Sequence, residues 1–235
     1  PIFRHHGGLE KPTSVQFRTD LPAILAIAGP AILTQLATPI GQAYVTRSMA
    51  AYGEEAVAGM AMVGRLTPVA FGVIFALSGA IGPIIGQNFG AQQHDRVKTA
   101  FRDGLVFTLL WVVFVSGLLF VLRAPIANLF GAEGLAITLV YLFCGPLALA
   151  FYFNGVIFVA NAAFNNLGRP FYSTLINWGR HTLGTIPFVW LGAYMLGAPG
   201  VLIGQAVGGL IFGVLAFVLA MRVMQEKTTA RQEPF

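Results

Sequence analysis

Polar side chains recur at helical spacing inside stretches that carry no formal charge. Gln35, Thr38 and Gln42 fall at i, i+3 and i+7, with Thr34 beside them. Phe151, Asn154, Phe158, Asn161 and Asn165 form a second stripe, of rings and amides, and Asn177, Arg180, His181 and Gly184 share a third face. At the helical period each set lies along one side of its helix. Inside lipid, amides and hydroxyls are costly unless they meet a neighbouring helix or line a wet cavity. The bland outcome is glue between helices. The functional outcome is a cavity in which aromatic faces and amide dipoles hold amphipathic or cationic ligands. Gln35, Thr38, Gln42, Phe151, Asn154, Phe158, Asn161, Asn177 and Arg180 are the candidate wall of such a substrate cavity.

Arg180 lies about ten residues, or ~15 Å of helix, from the start of its apolar run. Snorkelling covers much of that depth. No acidic residue lies in the core of any apolar run to pair with it. Its expected partners are backbone carbonyls, water, or a carboxylate elsewhere in the protein. His181 beside it could relay protons near neutral pH, though an isolated intramembrane histidine is more often simply hydrogen-bonded. Covalent chemistry has no support. Ser78 has no neighbouring base, and GxSxG, HExxH, Walker A and GxGxxG patterns are absent. The single cysteine, Cys144, sits in the apolar stretch YLFCGP and reads as a small buried side chain. No Cys/His cluster offers a metal site. Enzymatic activity, metals and organic cofactors are therefore not expected.

The elements that position these residues follow from charge placement. The 235 residues are 56% hydrophobic and 10% charged, against about 25% charged in soluble domains. Leu21–Thr46, Leu66–His94, Gly104–Leu122, Gly134–Gly168 and His181–Met221 are uncharged runs of 26, 29, 19, 35 and 41 residues. A membrane-crossing helix needs about 20. The turn sequence Gly197-Ala-Pro-Gly200 divides the longest run. The expectation is an all-α integral membrane protein of six transmembrane helices, over about 20–49, 54–89, 95–122, 135–164, 170–196 and 201–223. The continuous apolar runs lack the alternation of an outer-membrane barrel. Pro30, Pro39, Pro68, Pro83, Pro146 and Pro187 fall inside these helices, and each frees a carbonyl that something else must satisfy. Gly82, Gly86 and Gly90 form one small-residue ridge, and Gly204 with Gly208 another.

The net charge of +5 is a loop property, so no basic face for nucleic acid exists. Six spans put both ends on one side. That side collects Arg4, Lys11, Arg18, Arg96, Lys98, Arg102, Arg169, Arg222, Lys227 and Arg231, while the other has Arg47 and Arg123. The positive-inside rule makes the richer side cytoplasmic, in the cytoplasmic (inner) membrane. Residues 1–19 read as a cytoplasmic linker entered from an upstream segment, 20–223 as the transmembrane lobe, and 224–235 as a cytoplasmic tail.

Several segments together resemble multidrug and toxin extrusion (MATE) transporters, at the opening of their second half. They are Gly29-Pro30, Ala50-Ala-Tyr-Gly53, Glu55-Ala-Val-Ala58, Gly64-Arg65 and Gly86-Gln-Asn-Phe-Gly-Ala91. Ala163-Phe-Asn-Asn-Leu-Gly-Arg-Pro170 resembles the cytoplasmic end of that family's tenth helix, and Arg180 before Ile186-Pro187 also fits. The resemblance implies one lobe of a twelve-helix transporter with a pseudo-two-fold axis, the N-terminal six-helix lobe being its partner. Small organic, cationic substrates would exchange for H+ or Na+ by alternating access. Some sodium-coupled relatives carry carboxylates on the seventh and tenth helices. By position after the Gly-Pro pairs, Thr38 and Asn154 take those places here. The coupling ion is thus expected in the N-terminal lobe. The alternatives are a flippase for lipid-linked saccharides of the same superfamily and a non-transporting membrane assembly subunit. Orientation is testable in a Cys144→Ser background: a membrane-impermeant maleimide should label Gln93→Cys only from the cytoplasmic side and Glu133→Cys only from outside.

Overall fold

The computed structural model describes residues 14–229, with side-chain surroundings for all of these except 14–17, 23–28, 30, 31 and 227–229. Residues 1–13 and 230–235, which hold most of the expected linker and half of the expected tail, lie outside the described residues. The chain folds as α1 (Ser14–Ala50), α2 (Glu54–Gly90), α3 (His94–Leu129), α4 (Gly134–Leu142), a π-helical turn (Phe143–Leu147), α5 (Ala148–Asn166), α6 (Pro170–His181), α7 (Ile186–Leu196) and α8 (Ala198–Thr229). No strand occurs among the described residues. Short turns join successive spans, so neighbours run antiparallel. One end of the bundle carries the turns at Gly53 and Gly131, the other those at Gln92 and Gly168.

Glu54–Gly90, His94–Leu129, the bent stretch Gly134–Asn166 and Ala198–Glu226 are each long and apolar enough to cross a membrane. At 37 residues, α2 extends ~55 Å, well beyond the ~30 Å hydrocarbon layer. The outer face of α3 is apolar and open to the surroundings, with Leu110 and Phe114 65% and 63% exposed. In water such a face would be a liability; in lipid it is the normal surface.

Two expected helices are interrupted. The fourth span bends at Gly145, whose φ of −102° and ψ of −114° leave the helical region. Proline disfavours helical geometry in the residue before it, so Pro146 places the bend at the adjacent glycine. The fifth span, expected as one helix over 170–196, is two. Helix α6 stops at His181, and α7 restarts with Pro187 in its first turn. Pro187 is therefore not inside a helix: at a helix start its missing N–H removes nothing. Threonine hydroxyls bond to carbonyls beside the break, at Trp178 in addition to the Thr182 backbone N–H. Thr182 Oγ1 donates to Trp178 O at 2.6 Å and Thr185 Oγ1 to Arg180 O at 2.9 Å.

Glycine decides how closely two pairs of helices approach. A Cβ on Gly208 would strike the Gly184 carbonyl, and one on Gly204 the Phe188 carbonyl, so α8 lies backbone to backbone against the break and α7. Gly82 and Gly86 seat the Asn166 amide, whereas Gly90 faces open space and takes no part. Buried side chains form two clusters. Val45, Met49, Phe71, Leu139 and Val201 belong to the one nearer the Gly53 end. Ile85, Phe101, Phe164, Ile176 and Ala220 belong to the one nearer the Gln92 end. Glu55 locks the first cluster's rim by accepting from Leu135 N at 2.8 Å, which satisfies one of the unpaired N–H groups at the start of α4.

Gly208→Ala should lower the thermal unfolding midpoint in detergent, at a cost of about 1–3 kcal/mol from overpacking. Gly79→Ala, at a helix position with no atom within 4 Å, should leave the midpoint unchanged or raise it.

Candidate functional site: a polar cavity inside the bundle

A cavity of about 600 Å³ lies between α1, α2, α5, α6 and α8, within the usual range for small-molecule sites, roughly 300–1,000 Å³. All nine residues singled out from sequence line it. Gln35, Thr38 and Gln42 come from α1; Phe151, Asn154, Phe158 and Asn161 from α5; Asn177 and Arg180 from α6. Thr34, Asn165 and His181 join them. Gln35, Thr38 and Gln42 are exposed in this chain, so the α1 wall is the open side, while Asn177 is buried at the back.

Arg180 sits where α6 ends. Its Nη1 donates to Asn154 Oδ1 at 2.7 Å, joining α6 to α5. Its Nη2 lies 2.8 Å from His181 Nε2. A guanidinium has only donors, so Nε2 accepts and the ring proton is on Nδ1, the nitrogen packed against Gly41. Arg180 and His181 occupy the last turn of α6, where the partial negative charge of a helix C-terminus favours a cation. The break in the fifth span thus explains how an arginine is held in the interior. Among the described residues its partners are the Asn154 amide and the His181 ring, neither of which is among the partners expected from sequence.

Some amides do structural work. Asn177 Nδ2 donates to Ser173 O at 2.8 Å, and Ser173 Oγ donates to Asn165 Oδ1 at 3.0 Å, tying α6 to α5. Asn161 differs: its Oδ1 is buried with no hydrogen-bond partner. The aromatic side is interlocked. Phe151 stacks on Phe71 with centroids 4.0 Å apart, and Phe75 meets Phe151 and Phe158 edge-on at 6.1 and 5.2 Å.

Sequence reasoning missed Phe75, Ser78 and Gln205 as wall residues. Gln205 had a visible signal, as the one amide in the last apolar run. Phe75 and Ser78 had only i, i+3 spacing on a helix rich in apolar residues. Arg180 is the sole Lys, Arg, Asp or Glu among the lining residues. No group of three His, Cys, Asp or Glu side chains able to hold a metal occurs among the described residues.

The sequence model of the MatE family matches residues 30–191. The chain is 36% identical over 224 residues to an uncharacterized 21 kDa protein in the iaaL 5′ region of Pseudomonas savastanoi, covering 92% of this chain and 71% of that one. It is 30% identical over 217 residues to a FAD transporter of Shewanella oneidensis, covering 92% of this chain and 48% of the transporter. Its fold is similar to the crystal structure of the Vibrio cholerae MATE transporter VcmN in the bent form. The TM-score is 0.84 at 24% identity, over 96% of this chain and 52% of VcmN. The chain thus spans about half the length of both transporters. With its bent and broken spans gathered around one polar cavity, and the family model matching most of its length, the chain belongs to the MatE family of multidrug and toxin extrusion transporters and has the fold of one lobe of their twelve-helix architecture.

Proposed function

We propose that the chain forms the C-terminal lobe of a secondary-active exporter in the cytoplasmic membrane. The exporter moves small organic molecules outward by alternating access, in exchange for H+ or Na+. The observation that carries this reading is the cavity. It has polar and aromatic walls, lies among interrupted helices, and is open along Gln35, Thr38 and Gln42. Interrupted helices around a mid-bundle site are the recurrent construction of secondary transporters, whose two repeats rock about the site. An N-terminal lobe facing α1 would close the open wall. The cargo named for the related FAD transporter supports substrates of small-molecule size. The cationic excess at the Gln92 end supports a cytoplasmic location for that end.

The coupling ion belongs, in this reading, to the N-terminal lobe. A proton or sodium ion in a membrane interior needs a carboxylate or a well-provided oxygen cage. The cavity side chains of this chain include no acid, and Thr38 and Asn154 are neutral.

The test is flux. The full-length transporter containing this chain is reconstituted in vesicles, and dye movement is followed under an imposed pH gradient and, separately, a sodium gradient. Gradient-driven export is expected with one of the two ions. Gln42→Leu, with normal insertion, should reduce it several-fold. Absence of flux under both gradients for a panel of amphipathic dyes would sink the exporter reading in favour of an assembly subunit.

A further inference from the structure

The cavity wall carries one positive charge, and no acidic side chain lines it among the described residues. Arg180 has five N–H donors, of which one bonds to Asn154 Oδ1 and one to His181 Nε2. Both acceptors are neutral. The ion pairs found among the described residues, Arg102–Asp103 and Arg169–Glu226, lie at the Gln92 end and do not involve it. A buried charge is expensive unless it is paired and hydrogen-bonded. The end of α6 and the two neutral acceptors offset part of that cost and leave donors for a ligand. A carboxylate, sulfonate or phosphate fits those donors, because a planar guanidinium binds such groups through paired N–H···O bonds.

The rest of the wall selects what carries the anion. Phe151 and Phe158 present rings beside Asn154, on the same face of α5. Asn161 lines the same wall seven residues past Asn154, ~10 Å along the helix. A cation would be attracted to the rings by ~0.5–2 kcal/mol, but on this lobe's wall it would meet a guanidinium and no acidic lining residue.

We infer that this cavity takes planar aromatic organic anions, the acidic group on Arg180 and the ring system against Phe151 and Phe158. The inference builds on the reading of the cavity as the cargo site and reverses the charge that the family resemblance implies for the cargo. Fluorescein and rhodamine 123 share a xanthene ring and carry opposite charge at mildly alkaline pH. Their binding to the purified transporter in nanodiscs of zwitterionic lipid is followed by fluorescence anisotropy. Fluorescein should bind more tightly by about tenfold or more. Arg180→Gln should remove that preference by weakening fluorescein alone, and Arg180→Lys should restore part of it. Phe158→Ala should weaken both dyes, as ring recognition requires. Tighter binding of rhodamine 123, equal binding, or binding of neither overturns the inference. So does unchanged fluorescein binding in an Arg180→Gln protein that keeps its unfolding midpoint. If that variant does not fold, the wild-type comparison of the two dyes decides. Selective fluorescein binding without gradient-driven flux supports the inference while removing the export reading. Flux of rhodamine 123 without fluorescein binding does the reverse.

Discussion

A helix that stops inside hydrocarbon must find partners for its last carbonyls, and much of this lobe is arranged around one such stop. Helix α6 ends at His181, half-way along an apolar segment. Thr182 and Thr185 hydroxyls take up two of the carbonyls near the break. The guanidinium of Arg180 meets the negative end of the helix dipole. Once the stop is satisfied, it has consequences on both sides. It turns Arg180 toward Asn154 on α5, which gives the cavity its charge. It also lets α7 leave at a new angle and lie close on α8, where Gly204 and Gly208 accept backbone atoms in place of side chains.

The bend in the fourth span has the complementary role. Helix α4 is held at its start by Glu55 from α2, and the π-helical turn redirects the chain before α5 begins. The redirection sets the ring-and-amide stripe of α5 facing inward, where Phe71 stacks behind Phe151. Helices α3 and α7 contribute no residue to the cavity. They present large apolar side chains outward, as Phe114 and Trp190 do. The lining helices α1, α2, α5, α6 and α8 carry exposed apolar side chains on their other faces, Val69 and Phe171 among them.

Much of this was legible in the residues. A period of 3.6 puts Gln35, Thr38 and Gln42 on one face in any helix, and the same holds for the α5 stripe, so membership of a common wall followed from spacing and the cost of polar groups in lipid. The Gly-Ala-Pro-Gly turn announced the end of α7. The interruption of the fifth span was not legible. Pro187 reads equally well as a kink within a helix or as the first turn of a new one. The choice depends on whether threonine hydroxyls and α8 can serve the freed backbone. Gly90 illustrates the same limit, since it continues a small-residue ridge in sequence while no helix approaches it.

Amino-acid sequence by itself determined the all-helical membrane class, the succession of apolar segments, the end of the bundle where loop cations collect and the faces that carry polar groups. These depend on local periodicity and on the transfer cost of single residues, which need no partner to evaluate. Tertiary structure decided where the fifth span breaks, which cavity amides also tie helices together, and that Arg180 bonds to the neutral Asn154 and His181 among the described residues. Those outcomes depend on distances between residues far apart in the chain, such as the 2.7 Å from Arg180 to Asn154, and a hydrogen bond exists only when packing brings both ends together.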